Sequence, residues 1–175
     1  RRAQMFPKLS REEIDRLRHF GKTRRFGAGE SLVTTGEARP GMFVIISGSV
    51  ALTRQEGLGH VVPIVEEGPG DFIAEIGELS GRPALVNARA ISNGEALLIP
   101  TEALRAVLIA EAELGERIMR ALILRRVALI ETGAGGPVLI GGAASPDLIR
   151  LEGFLARNAW PYQVVDPAED PDAAA

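Results

Sequence analysis

The chain has 175 residues, 46% of them apolar, which is enough for a packed core, and its formal charge of −3 argues against a surface that tracks a nucleic-acid backbone. It has no cysteine, which excludes disulfides, zinc–thiolate sites and thiol redox chemistry within it. No apolar run reaches the length of a membrane span and Arg1 to Phe6 lacks the apolar core of a signal peptide, so we read a soluble, cytoplasmic protein with neither nucleic acid nor membrane as partner.

The first element is a helix with a marked start. Ser10 caps it, Glu13 completes a capping box, and Leu9 packs on Ile14 as a hydrophobic staple. Ile14, Leu17 and Phe20 follow at helical spacing, Arg11, Asp15, Arg16 and Arg18 face water, and Gly21 stops the helix. These arginines with Lys22, Arg24 and Arg25 form the most basic patch of the chain, read as a solvated face.

From Gly27 to about Pro100, short runs rich in Val, Ile, Leu and Phe are broken by Gly, Pro and Asn, the texture of an all-β unit. Strands are expected near Ser31–Thr35, Met42–Ile46, Ser49–Arg54, Val61–Glu66, Leu85–Ala90 and Ala96–Ile99, with Ser47-Gly48 as a tight turn and Gly57-Leu58-Gly59 and Ser92-Asn93-Gly94 as loops. Short turns between neighbouring strands imply a mainly β fold, a cupin-like rolled antiparallel barrel (jelly roll) flanked by helices, each strand beside its sequence neighbour. Within it, Gly70 to Val86 sets a buried-looking carboxylate, Glu75, a short helical turn and Arg82 between two strand-like runs, the parts of a pocket for a sugar phosphate.

After Pro100 the pattern turns helical. Thr101 caps a short helix through Leu104, Val107 and Leu108, and a longer one runs from about Glu111 to Glu131, with Glu113–Arg117 and Glu116–Arg120 as i,i+4 pairs. Leu114, Ile118, Leu122 and Leu129 make a docking stripe, and Met119, Ile123, Val127 and Ile130 a second one that suits a homodimer through this helix. Residues 133–137 are a glycine-rich linker, with Gly133 placed to end the helix. Beyond it lie a strand Val138–Ile140, a helix from about Pro146 to Asn158 and a strand Tyr162–Val165, an incomplete βαβ segment over 138–175 that follows a first domain over 1–132.

Across roughly Met5 to Thr132 the chain resembles the cyclic nucleotide-binding domain family. The matching runs are Gly29-Glu30-Ser31-Leu32-Val33 with Gly36, Met42 to Val50, Gly70-Asp71-Phe72-Ile73-Ala74-Glu75-Ile76 and Ala96-Leu97-Leu98-Ile99-Pro100. The resemblance implies a small anionic ligand, cyclic AMP or cyclic GMP, held by Phe72, Ile73, Ala74, Glu75, Ile76, Arg82, Pro83, Ala84, Leu85, Val86 and, at the end of the long helix, Ile130. Glu75 would accept the ribose 2′-hydroxyl, and backbone N–H groups of the following turn would face the phosphate. Ala74 stands where the family usually has glycine, and Ala84 where it usually has the phosphate-binding arginine. One lost charge-assisted bond of about 1.5–3 kcal/mol weakens binding roughly ten- to a hundredfold. Arg82, extended before Pro83 and on the side of Ala84, is the expected substitute, whereas Arg89 points the other way by strand parity.

The segment after the linker resembles the start of a thioredoxin- or glutaredoxin-like unit, its redox loop falling at Ser145-Pro146-Asp147-Leu148 without cysteine. A rival reading takes Gly141-Gly142 with Asp166 as a dinucleotide fingerprint, one of its three glycines being in place. The whole chain is similar to the N-terminal part of bacterial thioredoxin reductase-like flavoproteins. That implies a downstream reductase module carrying FAD, NADPH and the disulfide reductase chemistry, and no cofactor or catalysis in this chain. His19 and His60 are too few for a cupin metal site, and no G-x-S-x-G elbow or phosphate loop ending in Lys-Ser/Thr occurs. The alternatives are a non-binding scaffold or dimerisation domain, and a cyclic nucleotide-responsive transcription regulator.

Overall fold

The alternation in Met42-Phe43-Val44-Ile45 explains the layering of the molecule. In the computed structural model, which describes residues 2–55, 60–132 and 136–169, all four side chains are buried but on opposite faces. Met42 and Val44 join a core with the helices, while Phe43 and Ile45 join a core between two sheets. A strand buried on both faces reads as a continuous apolar run, as this one does.

A short helix α1 (Arg2–Met5) precedes α2 (Arg11–Leu17), which continues as a 3-10 turn to Phe20 before Gly21. The expected capping box is present: Glu13 N–H donates to Ser10 Oγ at 3.2 Å and Ser10 N–H to Glu13 Oε2 at 2.7 Å. Eight strands follow: β1 (Lys22–Phe26), β2 (Ser31–Val33), β3 (Met42–Ser47), β4 (Val50–Gln55), β5 (Val61–Glu67), β6 (Phe72–Ile73), β7 (Asn87–Ala90) and β8 (Gly94–Ile99). They form two four-stranded sheets, ordered β1-β8-β3-β6 and β2-β7-β4-β5, with antiparallel pairings throughout. The mainly antiparallel, jelly-roll-like fold with flanking helices agrees with the sequence reading.

Two expectations are corrected. The strands do not lie beside their sequence neighbours: β4 and β5 do, but β1 pairs with β8 and β2 with β7. The expected tight turn at Ser47-Gly48 is present and carries the chain from one sheet to the other, with Gly48 at φ +81° and too close to the Asn93 carbonyl for a Cβ. Lys22 to Phe26 is also an edge strand and not merely a solvated basic patch. Its first four residues are exposed and Phe26 alone is buried, a charged edge that discourages pairing with other chains.

The outer face of the first sheet carries α2, α3 (Thr101–Ala110) and α4 (Ala112–Glu131), through Leu17, Leu104, Leu114, Ile118 and Leu122. Each fully buried side chain of this kind contributes about 1.5–3 kcal/mol. Thr101 does not cap α3, whose N-cap is Pro100; its hydroxyl donates to Glu78 Oε1 at 3.4 Å. Arg120 pairs with Glu116 as expected, but Arg117 reaches across to Glu13 at 2.8 Å instead of to Glu113. Ile123, Val127 and Ile130 of the second stripe are exposed, whereas Met119 is half-buried.

Beyond α4, β9 (Val138–Ile140), α5 (Pro146–Arg157) and β10 (Gln163–Val165) form a βαβ segment with a parallel strand pair. Ser145 caps α5 and Pro146 occupies its first turn. The Gly57-Leu58-Gly59 loop, the Gly133 helix stop with its linker to Gly135, and the end of the acidic tail from Asp170 lie outside the described residues.

Candidate ligand-binding site

The Gly70–Val86 stretch places Glu75 at a cavity between the second sheet and the end of α4. Phe72 of β6 turns into the helix-side core and Ile73 into the inter-sheet core, so the chain arrives fixed on both faces. Glu75 then begins a 3-10 turn, Ile76–Ser80, which Gly81 ends in the left-handed conformation at φ +69°. Leu52, Ile64, Ile73, Val86 and Leu129 supply an apolar wall, and Arg39, Arg54, Glu75 and Arg125 supply charge. The cavity encloses about 100 Å³, room for several waters or part of a small ligand.

Glu75 is 2% exposed. Its Oε1 accepts from Arg126 Nη1 at 3.3 Å, and its Oε2 is buried without a hydrogen-bond partner. A buried acceptor left unmet costs about 1–3 kcal/mol, so this oxygen suits a donor brought by a ligand, such as a sugar hydroxyl. Gly77 makes the space, because a Cβ there would lie 2.7 Å from that same oxygen.

Two neighbouring arginines of α4 frame the site. Arg126 also donates from Nη2 to the Ala159 carbonyl at 2.7 Å, joining Glu75 to the βαβ segment. Arg125 donates from Nε to Met5 O at 2.9 Å and from Nη1 to Phe72 O at 2.8 Å. Its guanidinium lies 4.9 Å from the Phe6 ring centre and 4.6 Å from that of Phe72. Burial pulls it down to about 10, with Glu67 holding it up, so it is charged at neutral pH. Burial likewise pushes Glu67 up to about 7, opposed by Arg125, whose Nη2 is 3.7 Å from Glu67 Oε1.

Arg39, on the connection from β2 to β3, also lines the cavity. The residue keeps some exposure, but its Nε and Nη2 are buried and unpartnered. Burial lowers its pKa, and the carboxylates of Glu75 and Glu78 act against that. Glu78, 2% exposed, is pushed up to about 7 by burial, with Arg39 opposing, and its Oε2 is a further buried acceptor without a partner.

Among the residues singled out from the sequence, Ile73, Ala74, Glu75 and Val86 line the cavity. Phe72 and Ile76 pack toward the helices, Ala84 sits in the inter-sheet core, and Leu85 clusters with Val86 and Leu129. Arg82 does not point into the cavity. Its guanidinium lies 5.9 Å from the centre of the Trp160 ring, and the adjacent Pro83 is exposed. Ile130 faces a second hollow beside Trp160, and Leu129, one residue earlier, takes the place expected for it. Arg39, Arg125 and Arg126 were not anticipated; the signal for the last two is a pair of arginines between Leu122 and Leu129 on the docking stripe.

The family model for the cyclic nucleotide-binding domain matches residues 23–111. No curated protein matches the sequence. Among solved structures, the catabolite activator protein of Thermus thermophilus superposes with a TM-score of 0.61 at 23% identity, over 73% of this chain and 60% of that one. This chain therefore spans about three-fifths of that protein's length. A transcriptional regulator from Thermotoga maritima gives 0.58 at 22% identity, over 67% and 92% of the two chains. A structure from work on a cyclic-GMP-dependent signalling pathway in bacterial phytopathogenesis gives 0.57 at 24%, over 69% and 96%. These likenesses establish the fold, and with a family model that spans half of its length the chain belongs to the cyclic nucleotide-binding domain family.

Proposed function

We propose that the chain is a regulatory module that takes a cyclic nucleotide, cyclic AMP or cyclic GMP, in the Glu75 cavity. The observation that carries this reading is the buried, unpartnered Oε2 of Glu75 at the wall of an apolar cavity. A ribose hydroxyl donating to it satisfies an acceptor that is otherwise costly to bury. The apolar wall from Leu52 to Leu129 suits the flat face of a purine. Filling the cavity acts on Arg126, which shares Glu75, and through Ala159 on the segment after α4. Such a response requires different ligand affinities for the two arrangements.

Under this reading the βαβ segment begins a cysteine-free thioredoxin-like unit, and FAD, NADPH and disulfide reductase chemistry belong to a downstream module. The parallel pairing of β9 and β10 around a Ser145-capped helix supports a βαβ start. The exposed Ile123, Val127 and Ile130 support a homodimer through α4. Calorimetric titration with cyclic AMP and cyclic GMP tests the binding: saturable heat with at least one is expected, at least tenfold weaker in Glu75→Gln. Absence of heat with both, or equal affinity in Glu75→Gln, overturns it.

A further inference from the structure

Ala84, which stands where the family usually has its phosphate-binding arginine, is 1% exposed in the inter-sheet core, and the guanidinium of Arg82 from the same loop lies beside Trp160. We infer that Arg39 supplies the missing charge, so that the phosphate of a cyclic nucleotide is held by a guanidinium delivered from the neighbouring β2–β3 connection. This rests on the reading of the cavity as a cyclic nucleotide site.

The backbone brings the two positions together. Gly36 N–H donates to Ala84 O at 2.8 Å, and Ala84 N–H donates to Glu37 O at 2.9 Å. The segment that carries Arg39 is therefore bonded directly to Ala84, and Arg39 follows two residues beyond that contact. Arg39 itself lines the cavity, so a guanidinium reaches that space from the chain hydrogen-bonded to Ala84.

The unsatisfied groups are complementary in kind. Arg39 presents two buried N–H donors, at Nε and Nη2, with no acceptor. Glu75 and Glu78, the carboxylates whose charge acts on it, each keep a buried Oε2 with no donor. A finished ion pair would have used these atoms on one another. Donors and acceptors held close by but unjoined fit a bridging molecule with phosphate oxygens for Arg39 and a hydroxyl for Glu75. The other arginines near Glu75 are already engaged: Arg125 with the Met5, Phe72 and Ala74 carbonyls, Arg126 with Glu75 and Ala159, and Arg54, which also lines the cavity, with a partner of its own.

The test is calorimetric titration of the 175-residue chain with cyclic AMP, cyclic GMP and the two phosphorothioate diastereomers of each, in which one phosphate oxygen is sulfur. Arg39→Ala is expected to weaken cyclic nucleotide binding by about ten- to a hundredfold. Discrimination between oxygen and sulfur, present in the wild type for at least one diastereomer, is expected to vanish in it. Arg39→Gln, neutral and similar in length, should lose at least tenfold and serves if the alanine variant does not fold. Arg39→Lys should retain part of the affinity, as a point charge without the fork. Arg82→Ala should bind as the wild type does. Unchanged affinity in Arg39→Ala and Arg39→Gln overturns the inference and leaves the cavity reading standing. So does weakened binding with the sulfur discrimination intact, which marks Arg39 as holding the fold rather than the phosphate. A wild-type chain that binds neither cyclic nucleotide removes both.

Discussion

Arg126 holds Glu75 with Nη1, 3.3 Å from Oε1, while its other terminal nitrogen holds the Ala159 carbonyl at 2.7 Å. One side chain thus joins the carboxylate at the cavity to the turn between α5 and β10. Both members of the ion pair are buried, so removing one leaves the other's charge unmet, at a cost of about 3–5 kcal/mol. Arg126→Met is expected to lower the urea unfolding free energy by about that amount, and Arg126→Met combined with Glu75→Gln by clearly less. A double-variant loss equal to the sum of the losses in Arg126→Met and Glu75→Gln would show that the pair is not coupled.

Arg125, next to Arg126 on α4, makes a comparable demand. It stacks between Phe6 and Phe72 and bonds the backbone of Met5, so it ties α1 to α4. Arg125→Leu should release α1, seen as faster amide exchange over residues 2–6, and cost roughly 3 kcal/mol or more because Glu67 loses its cation. Protection of residues 2–6 equal to the wild type would contradict this.

Glu78 and Glu67, both pushed up to about 7 by burial, fix the sign of the pH dependence. A raised carboxyl keeps its proton longer in the folded state than in the unfolded one. Between about pH 4.5 and 7 the folded chain therefore binds more protons, and their contribution to stability is lost as pH rises through that window. Glu13 acts oppositely: burial raises it, but bonds from Arg117 and the Ser10 N–H prevail and lower it, so its contribution is lost on acidification. Glu78→Gln should be more stable than the wild type at pH 8, by on the order of 1–3 kcal/mol, and should flatten the fall between pH 5 and 8. Parallel stability profiles for the two proteins would contradict the assignment.

Gly77 separates fold from site. A Cβ at this position would lie 2.7 Å from the free oxygen of Glu75 and 3.3 Å from Arg82 Cβ, side-chain atoms and not backbone. Gly77→Ala is expected to change urea stability by less than about 1 kcal/mol while weakening cyclic nucleotide binding at least tenfold. Unaltered affinity would mean that this oxygen is not where the ligand docks.

Local sequence patterns encode the elements that satisfy them. The capping box at Ser10, the apolar run from Met42, the length of α4 and the helix start at Pro146 all depend on residues close in the chain, and each is found. The order of strands is set by pairings between distant residues, such as Lys22 with Leu98, which no local pattern encodes. Lys22-Thr23-Arg24-Arg25 lacks the alternation of a half-buried strand because it lies at an edge. At the site, Glu75 was legible from its flanking runs. Arg39 was not, since a lone arginine before Pro40 has no periodicity and acquires its place through the bonds of Gly36 and Glu37 with Ala84. The position of Arg82 was not legible from strand parity either, since its guanidinium lies 5.9 Å from the ring centre of Trp160, far along the chain.

Trp160, the single tryptophan, neighbours Ala159 and lies under Arg82, so it reports on the connection from the cavity to the βαβ segment. The most direct test of a ligand-responsive module is a fluorescence titration of Trp160 with cyclic AMP and cyclic GMP. A saturable change in emission with at least one nucleotide, abolished in Arg126→Met under conditions where calorimetry still detects binding, is the result predicted here. Emission that stays constant while calorimetry shows the cavity filled would contradict coupling through Arg126.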